Sequence, residues 1–139
     1  MAETVEFELV SPAKLLMSEQ VEMVVMPGTE GNFASQPRHA PMISTLRPGV
    51  IEVYADNKVT ERIFVAGGFA EINEERCTVL AEEAMPVEQI DAAGVEARLK
   101  AAQQALDDAE TPDQAKAAET AMAVAQAMQA AIGGAKAAH

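Results

Sequence analysis

An all-β sandwich or flattened barrel followed by an antiparallel two-helix hairpin, an α+β arrangement, is predicted by three observations. Up to Met85-Pro86 the chain carries apolar side chains at alternate positions, rich in β-branched residues. Turn-forming pairs punctuate that region at short intervals. Beyond residue 87 the alanine content jumps to 19 in 52 residues, against 9 in the first 87, and alanine is the strongest helix former. The boundaries are set at 1–86 for the sandwich and 87–139 for the hairpin, with the last residues frayed.

The strands are read in order. Val5, Phe7 and Leu9 alternate with Glu6 and Glu8. Val21, Met23 and Val25 form a second alternating set, and Ile51, Val53 and Ala55 a third. Ile63-Phe64-Val65-Ala66 runs into Gly67-Gly68, and Cys77, Val79 and Ala81 follow Asn73-Glu74-Glu75. Ser11-Pro12, Pro27-Gly28, Pro48-Gly49, Asp56-Asn57 and Gly67-Gly68 are the expected turns, the glycine pair as a tight turn or bulge. Aromatic residues are 4% of the chain, so the core must be built from Val, Ile, Leu, Met and Ala.

In the second part Val95, Leu99, Ala102 and Leu106 recur at helical spacing, and Ala118, Met122, Ala125, Gln129 and Ile132 form a weaker stripe. Thr111-Pro112 has the grammar of a helix start, and Gly133-Gly134 that of a helix end. Two helices of about 17–20 residues each are expected. Alanine buries little area, and at about 25 cal/mol per Å² each contact contributes little. The pattern therefore predicts a firm β module carrying a loosely held, mobile helical arm.

Composition excludes several functions. The net charge is -12, which repels phosphate backbones and argues against nucleic-acid partners and against anionic lipid surfaces. No apolar run is long enough to span a membrane. The acidic start Met1-Ala2-Glu3-Thr4-Val5-Glu6 has the form of neither a secretory nor a mitochondrial leader. Cys77 is the lone cysteine, so no internal disulfide exists, and its apolar surroundings suit a buried inert thiol. The two histidines, His39 and His139, are too far apart in sequence to suggest a metal site. Neither GxGxxG nor GxxxxGK[ST] occurs. Glu82 and Glu83, adjacent on an expected strand, would point to opposite faces, poor geometry for paired acid–base work. No residue is assigned a catalytic role.

One segment stands out. Gly28-Thr29-Glu30-Gly31-Asn32-Phe33-Ala34-Ser35-Gln36-Pro37-Arg38-His39-Ala40-Pro41 concentrates Gly, Pro and charge between two apolar runs. Together with Phe7-Glu8-Leu9-Val10-Ser11-Pro12, Leu46-Arg47-Pro48-Gly49, Phe64-Val65-Ala66-Gly67-Gly68-Phe69-Ala70-Glu71-Ile72 and Cys77-Thr78-Val79-Leu80-Ala81-Glu82, in that order and spacing, it resembles the epsilon-subunit family of bacterial F-type ATP synthases. The mitochondrial delta subunits are related.

The resemblance implies a non-catalytic rotor subunit, without a cofactor, on the cytoplasmic face of the bacterial inner membrane. The sandwich would grip the gamma subunit and rest on the c-ring, and the hairpin would transiently reach the alpha/beta catalytic head. By this resemblance Glu30, Gly31 and Asn32 would face the c-ring. Arg38, His39, Ala40, Pro41 and Met42 would lie at the gamma contact. Arg38 stands where the family usually has Gly, so the turn there is expected to differ.

Some family members bind ATP in the hairpin through Ile-Asp-x-x-Arg-Ala. Here Ile90 and Asp91 are kept, Gly94 takes the Arg place, and Arg98 lies one helical turn further on. Loss of that cation predicts weak ATP binding, and Asp91 equally suits a helix N-terminus. From Asp113 onward Lys116 and Lys136 only balance Asp113 and Glu119, so weak inhibition of hydrolysis is expected. The leading reading is a coupling subunit; the alternative is an ATP-sensing regulatory module whose hairpin switches state.

Overall fold

A computed structural model describes residues 3–137; Met1, Ala2 and the end at Ala138-His139, part of the segment read as frayed, lie outside the described residues. The chain divides into two compact units, Met1–Pro86 and Val87–His139.

The first unit contains eight strands: β1 (Val5–Val10), β2 (Leu15–Val21), β3 (Met23–Gly28), β4 (Gly31–Ser35), β5 (Met42–Ala55), β6 (Lys58–Ile72), β7 (Arg76–Ala81) and β8 (Ala84–Pro86). They pair in the order β2-β1-β7-β6-β5-β3-β4, with β8 also on β6. All pairs are antiparallel except β1 with β7.

Strands β5 and β6 are long enough to serve two layers. The second half of β6 pairs with β7 from Gly68 to Ile72, whereas Ile63–Val65 pair with β8. Where the β7-paired stretch begins, Gly67 and Gly68 take φ of 102° and 120°, a region that residues with a Cβ rarely enter. The expected turn at Gly67-Gly68 is thus a bend inside one continuous strand, where β6 passes from one layer to the other. Pro48-Gly49 likewise lies inside β5, opposite Ala66 and Val65. Asp56-Asn57 is a true two-residue hairpin turn, with φ of 54° and 63°, the left-handed pair that matches strand twist.

The core forms as the alternation requires. Val5, Phe7, Leu9, Ile51, Val53, Cys77, Val79 and Ala81 are buried. One alternation is shifted: Val24 and Met26 are buried while Met23 and Val25 are half-buried. Glu22 forms a bend between β2 and β3, and one extra residue reverses which side chains face inward. Ile63, Phe64 and Val65 are all buried, so β6 carries apolar groups on both faces there. Glu82 and Glu83 sit in a bend between β7 and β8 rather than on a strand.

The second unit begins with a 3-10 turn, Val87–Gln89, followed by α1 (Ala92–Asp107) and α2 (Pro112–Ala137). The helices have 16 and 26 residues. The second exceeds the expectation because it continues through Gly133-Gly134. An interior glycine costs about 1 kcal/mol against alanine, which is too little to stop a helix flanked by alanines. The α1 stripe is as expected, with Val95 and Ala102 buried. On α2 the buried positions are Ala118, Val124, Ala125, Met128 and Ala131, and Gln129 is exposed. The buried stripe thus runs through Met128 and Ala131, one residue before the expected Gln129 and Ile132.

Candidate functional site: two loops and an outward apolar band

The β3–β4 hairpin turns at Thr29-Glu30, with Gly28 opposite Gly31. Thr29 through Asn32 are exposed, so no buried side chain shapes this turn. Hydrogen bonds do. The Thr29 amide donates to the Thr45 carbonyl at 3.1 Å, and the two threonine hydroxyls meet at 2.9 Å. Arg47 donates to the Gly28 carbonyl at 2.5 Å and to the Asn32 side-chain oxygen at 2.6 Å. Gly31 has φ of 129°. Glu30 stands exposed at the tip and makes no ion pair among the described residues.

The second loop runs from Gln36 to Pro41 and delivers the chain into β5. The His39 amide closes a turn onto the Gln36 carbonyl at 3.2 Å, and the Arg38 amide donates to the Glu74 carbonyl at 2.9 Å. Arg38 adopts φ of 67°. It therefore takes the left-handed conformation that a glycine would accept freely. Its guanidinium pairs with Glu3. His39 is half-buried, its Nδ1 lying 2.6 Å from the Ala40 carbonyl. Ala40, Pro41 and Met42 are exposed.

Both loops thus attach to the N-terminal half of β5. Thr45 holds the first, and Met42 ends the second, only about 10 Å apart at about 3.4 Å per residue.

Sequence reasoning missed a third feature. In β5, β6, β7, β1 and β2 the residues Thr45, Phe69, Leu80, Val10 and Leu15 lie opposite one another in register. They occupy the outward parity, opposite to the buried Val79 and Ala70. Phe69 is 42% and Leu15 55% exposed, and Ile43, two residues before Thr45, is 71% exposed. An apolar band therefore crosses the outside of the layer. Beyond it the same face is charged: Arg76 pairs with Glu6 at 2.8 Å and Glu8 at 3.3 Å, and the Glu6 hydrogen bond above all holds that guanidinium more firmly protonated. The signal available in the sequence was the apolar residue on the polar parity of each strand.

In the hairpin Asp91 is the N-cap of α1, accepting from the Ala93 amide at 3.3 Å and the Gly94 amide at 3.2 Å. Ile90 is half-buried just before it. Arg98 lies seven residues after Asp91, about 10 Å along the axis at 1.5 Å per residue, and donates to the Met128 sulfur at 3.2 Å. A shallow groove between the helices is lined by Arg98, Ala102, Ala105, Asp108, Gln114 and Ala118. It offers mostly methyl groups, with one cation and one carboxylate.

Cys77 is buried, its thiol 3.7 Å from the Met26 sulfur. Burial pushes the thiol up to about 12, with the neighbouring Ser35 hydroxyl opposing. Among the described residues no three His, Cys or carboxylate side chains converge as metal ligands, and no helix is long and apolar enough to cross a membrane.

Comparison with known proteins places this architecture. Residues 4–87 match the family described as ATP synthase, Delta/Epsilon chain, beta-sandwich domain. The chain is 58% identical over 132 residues to the ATP synthase epsilon chain of Paramagnetospirillum magneticum, covering 95% of this chain and 99% of that one. It is 56% identical over 131 residues to the epsilon chain of Rhodospirillum rubrum, covering 94% and 98%. The fold is also similar to a chain of the Euglena gracilis mitochondrial ATP synthase, with TM-score 0.78, 23% identity, and 93% and 81% of the two chains covered. A chain of the Tetrahymena thermophila mitochondrial ATP synthase central stalk and c-ring gives TM-score 0.71 at 15% identity, covering 92% and 96%. With the sandwich, the helical pair and near full-length relatives at this identity, the chain belongs to the ATP synthase delta/epsilon family.

Proposed function

We propose that the chain is a non-catalytic part of the central stalk, joining the gamma subunit to the c-ring so that proton flow and catalysis stay coupled. It would sit peripherally on the cytoplasmic face of the membrane as part of the complex. The observation that carries this reading is the outward band of Ile43, Phe69, Leu80, Val10 and Leu15, which adjoins the loop ending at Met42. Such outward-facing apolar surface, exposed at Ile43, Phe69 and Leu15 and half-buried at Leu80 and Val10, marks a partner contact on a small protein. A band rimmed by charged residues is the usual anatomy of a protein interface. Gamma is the partner assigned to it, because His39 through Met42 enter the same strand.

The test uses the catalytic complex stripped of this subunit. Ile43→Asp and Phe69→Ser are compared with the unaltered chain for binding to that complex. Each substitution is expected to weaken binding at least tenfold, about 1.4 kcal/mol, while thermal stability of the free chain changes little, since both residues are exposed. Unaltered binding in both variants would refute the gamma assignment for this band.

A further inference from the structure

We infer that Arg47 is a positioning residue: its guanidinium fork fixes the Gly28–Asn32 turn and so sets where the Glu30 carboxylate meets the polar loops of the c-ring. The inference rests on the proposed coupling role and deepens it. Three observations support it.

Beyond the buried Gly28 the turn has no packing of its own. Thr29, Glu30, Gly31 and Asn32 are all exposed, and Gly31 holds φ of 129° without any neighbour within 4 Å of its absent Cβ. Such a segment stays ordered only through its hydrogen bonds. Secondly, Arg47 ties both sides of the turn at once, through the Gly28 carbonyl before it and Asn32 after it. A planar guanidinium can do this because its donors diverge at a fixed angle; an ammonium is a single point donor on a flexible stem. Thirdly, neither Arg47 nor Glu30 has an ion-pair partner among the described residues. The guanidinium is committed to neutral acceptors, so it orders the turn without neutralising the carboxylate that the turn presents. Preorganising a contact group lowers the entropy lost when it docks.

Asn32 takes a different role in consequence. Its side-chain oxygen faces Arg47, so it serves to hold the turn, and Glu30 is left as the group that meets the partner.

The experiment uses the full chain carrying Arg47→Ala, Arg47→Lys, Glu30→Gln, or Arg47→Ala with Glu30→Gln. Each is reassembled into membranes bearing the synthase depleted of this subunit, and protons pumped per ATP hydrolysed are measured. Hydrogen exchange of the Gly28–Asn32 amides is measured on the free chain. Arg47→Ala should raise exchange in that turn at least tenfold and lower the pumping ratio at least twofold. Glu30→Gln should lower the ratio similarly, and the double variant should be no worse than Glu30→Gln alone. Arg47→Lys should recover less than half of the loss. Unchanged exchange in Arg47→Ala, or additive losses in the double variant, would overturn the positioning role while leaving the c-ring contact standing. A normal ratio in Glu30→Gln would overturn the c-ring contact, and the inference with it.

Discussion

A Cβ built on Gly68 would stand 2.0 Å from the Leu80 carbonyl oxygen. The backbones of β6 and β7 approach so closely here because Gly68 begins the pairing of those strands. Gly68→Ala must therefore push the strands apart and also hold φ near 120°. The conformational penalty alone is about 1–3 kcal/mol, and the clash adds to it. A loss of at least about 3 kcal/mol is expected in denaturant unfolding. Gly133→Ala is the counterpart: no atom lies within 4 Å of its added Cβ, and it should stabilise α2 by about 1 kcal/mol.

The Cys77 thiol supplies a pH prediction. Its folded pKa is raised from 9.0 to about 12 by burial. Between those values the unfolded chain has lost the proton that the folded chain keeps. Stability is then fully present below pH 9 and falls as the pH rises toward 12, by up to about 1.4 kcal/mol per pH unit from this group. Denaturation series from pH 8 to 11 on the native chain and on Cys77→Ala should diverge with that slope. Parallel curves would show that the thiol ionises as readily folded as unfolded. Thiol reagents at pH 8 should label Cys77 only when the protein unfolds.

Asp91 separates capping from nucleotide binding. As an N-cap it contributes about 1 kcal/mol, and Asn caps as well as Asp. Asp91→Ala should lower the stability of the helical unit by that amount, and Asp91→Asn should restore it. If the carboxylate also served ATP, titration would show saturation at sub-millimolar ATP, which Asp91→Asn would abolish while leaving stability restored. The expected result is rescue by Asn and no sub-millimolar binding, because the carboxylate oxygens are already engaged by Ala93 and Gly94.

Arg38→Gly tests the left-handed turn. Arginine at φ of 67° costs about 1–2 kcal/mol, which glycine would relieve. Against this stand the lost Glu3 pair, exposed at both ends and worth at most about 1 kcal/mol, and the extra unfolded-state freedom of glycine, about 0.5–1 kcal/mol. The opposing effects nearly cancel, so stability should change by less than about 1 kcal/mol. A larger loss would mean that the Glu3 pair anchors the loop.

The hairpin charge argument is checked by comparing the full chain with residues 1–86 on the stripped catalytic complex at matched occupancy. From Asp113 onward two lysines face two acids in the formal balance. ATP hydrolysis should differ by less than twofold between the two. Strong inhibition by the full chain alone would mean that the arm acts through shape rather than charge.

Local grammar made much of this chain legible, and its failures share one cause. Alternation located Val5, Phe7, Leu9, Ile51, Val53, Cys77 and Val79 in the core because each strand reports its own parity. The resemblance carried by the ordered motifs led to the family. Gly67-Gly68 and Pro48-Gly49 look like punctuation in isolation, yet both lie within long strands whose partners come from elsewhere in the chain. Residue Glu22 shifted the parity of Val24 and Met26, which only the bend reveals. The apolar band was hidden because Val10, Leu15, Phe69 and Leu80 lie on four different strands and are neighbours only through the pairing. Arg47 was legible as part of a motif, but its fork to Gly28 and Asn32 depends on how β5 lies beside the β3–β4 turn.

The long strands β5 and β6, of 14 and 15 residues, have a mechanical consequence. Both belong to each layer, and they remain hydrogen-bonded to one another from Met42 and Ile72 to Ala55 and Lys58. Pulled along its length, such a ribbon loads its bonds in shear, many together, instead of opening them one by one. A force entering at Ile43 would be carried along one continuous ribbon, bent at Gly67-Gly68 and about 45 Å in contour at about 3.4 Å per residue, without relying on friction between two packed sheets.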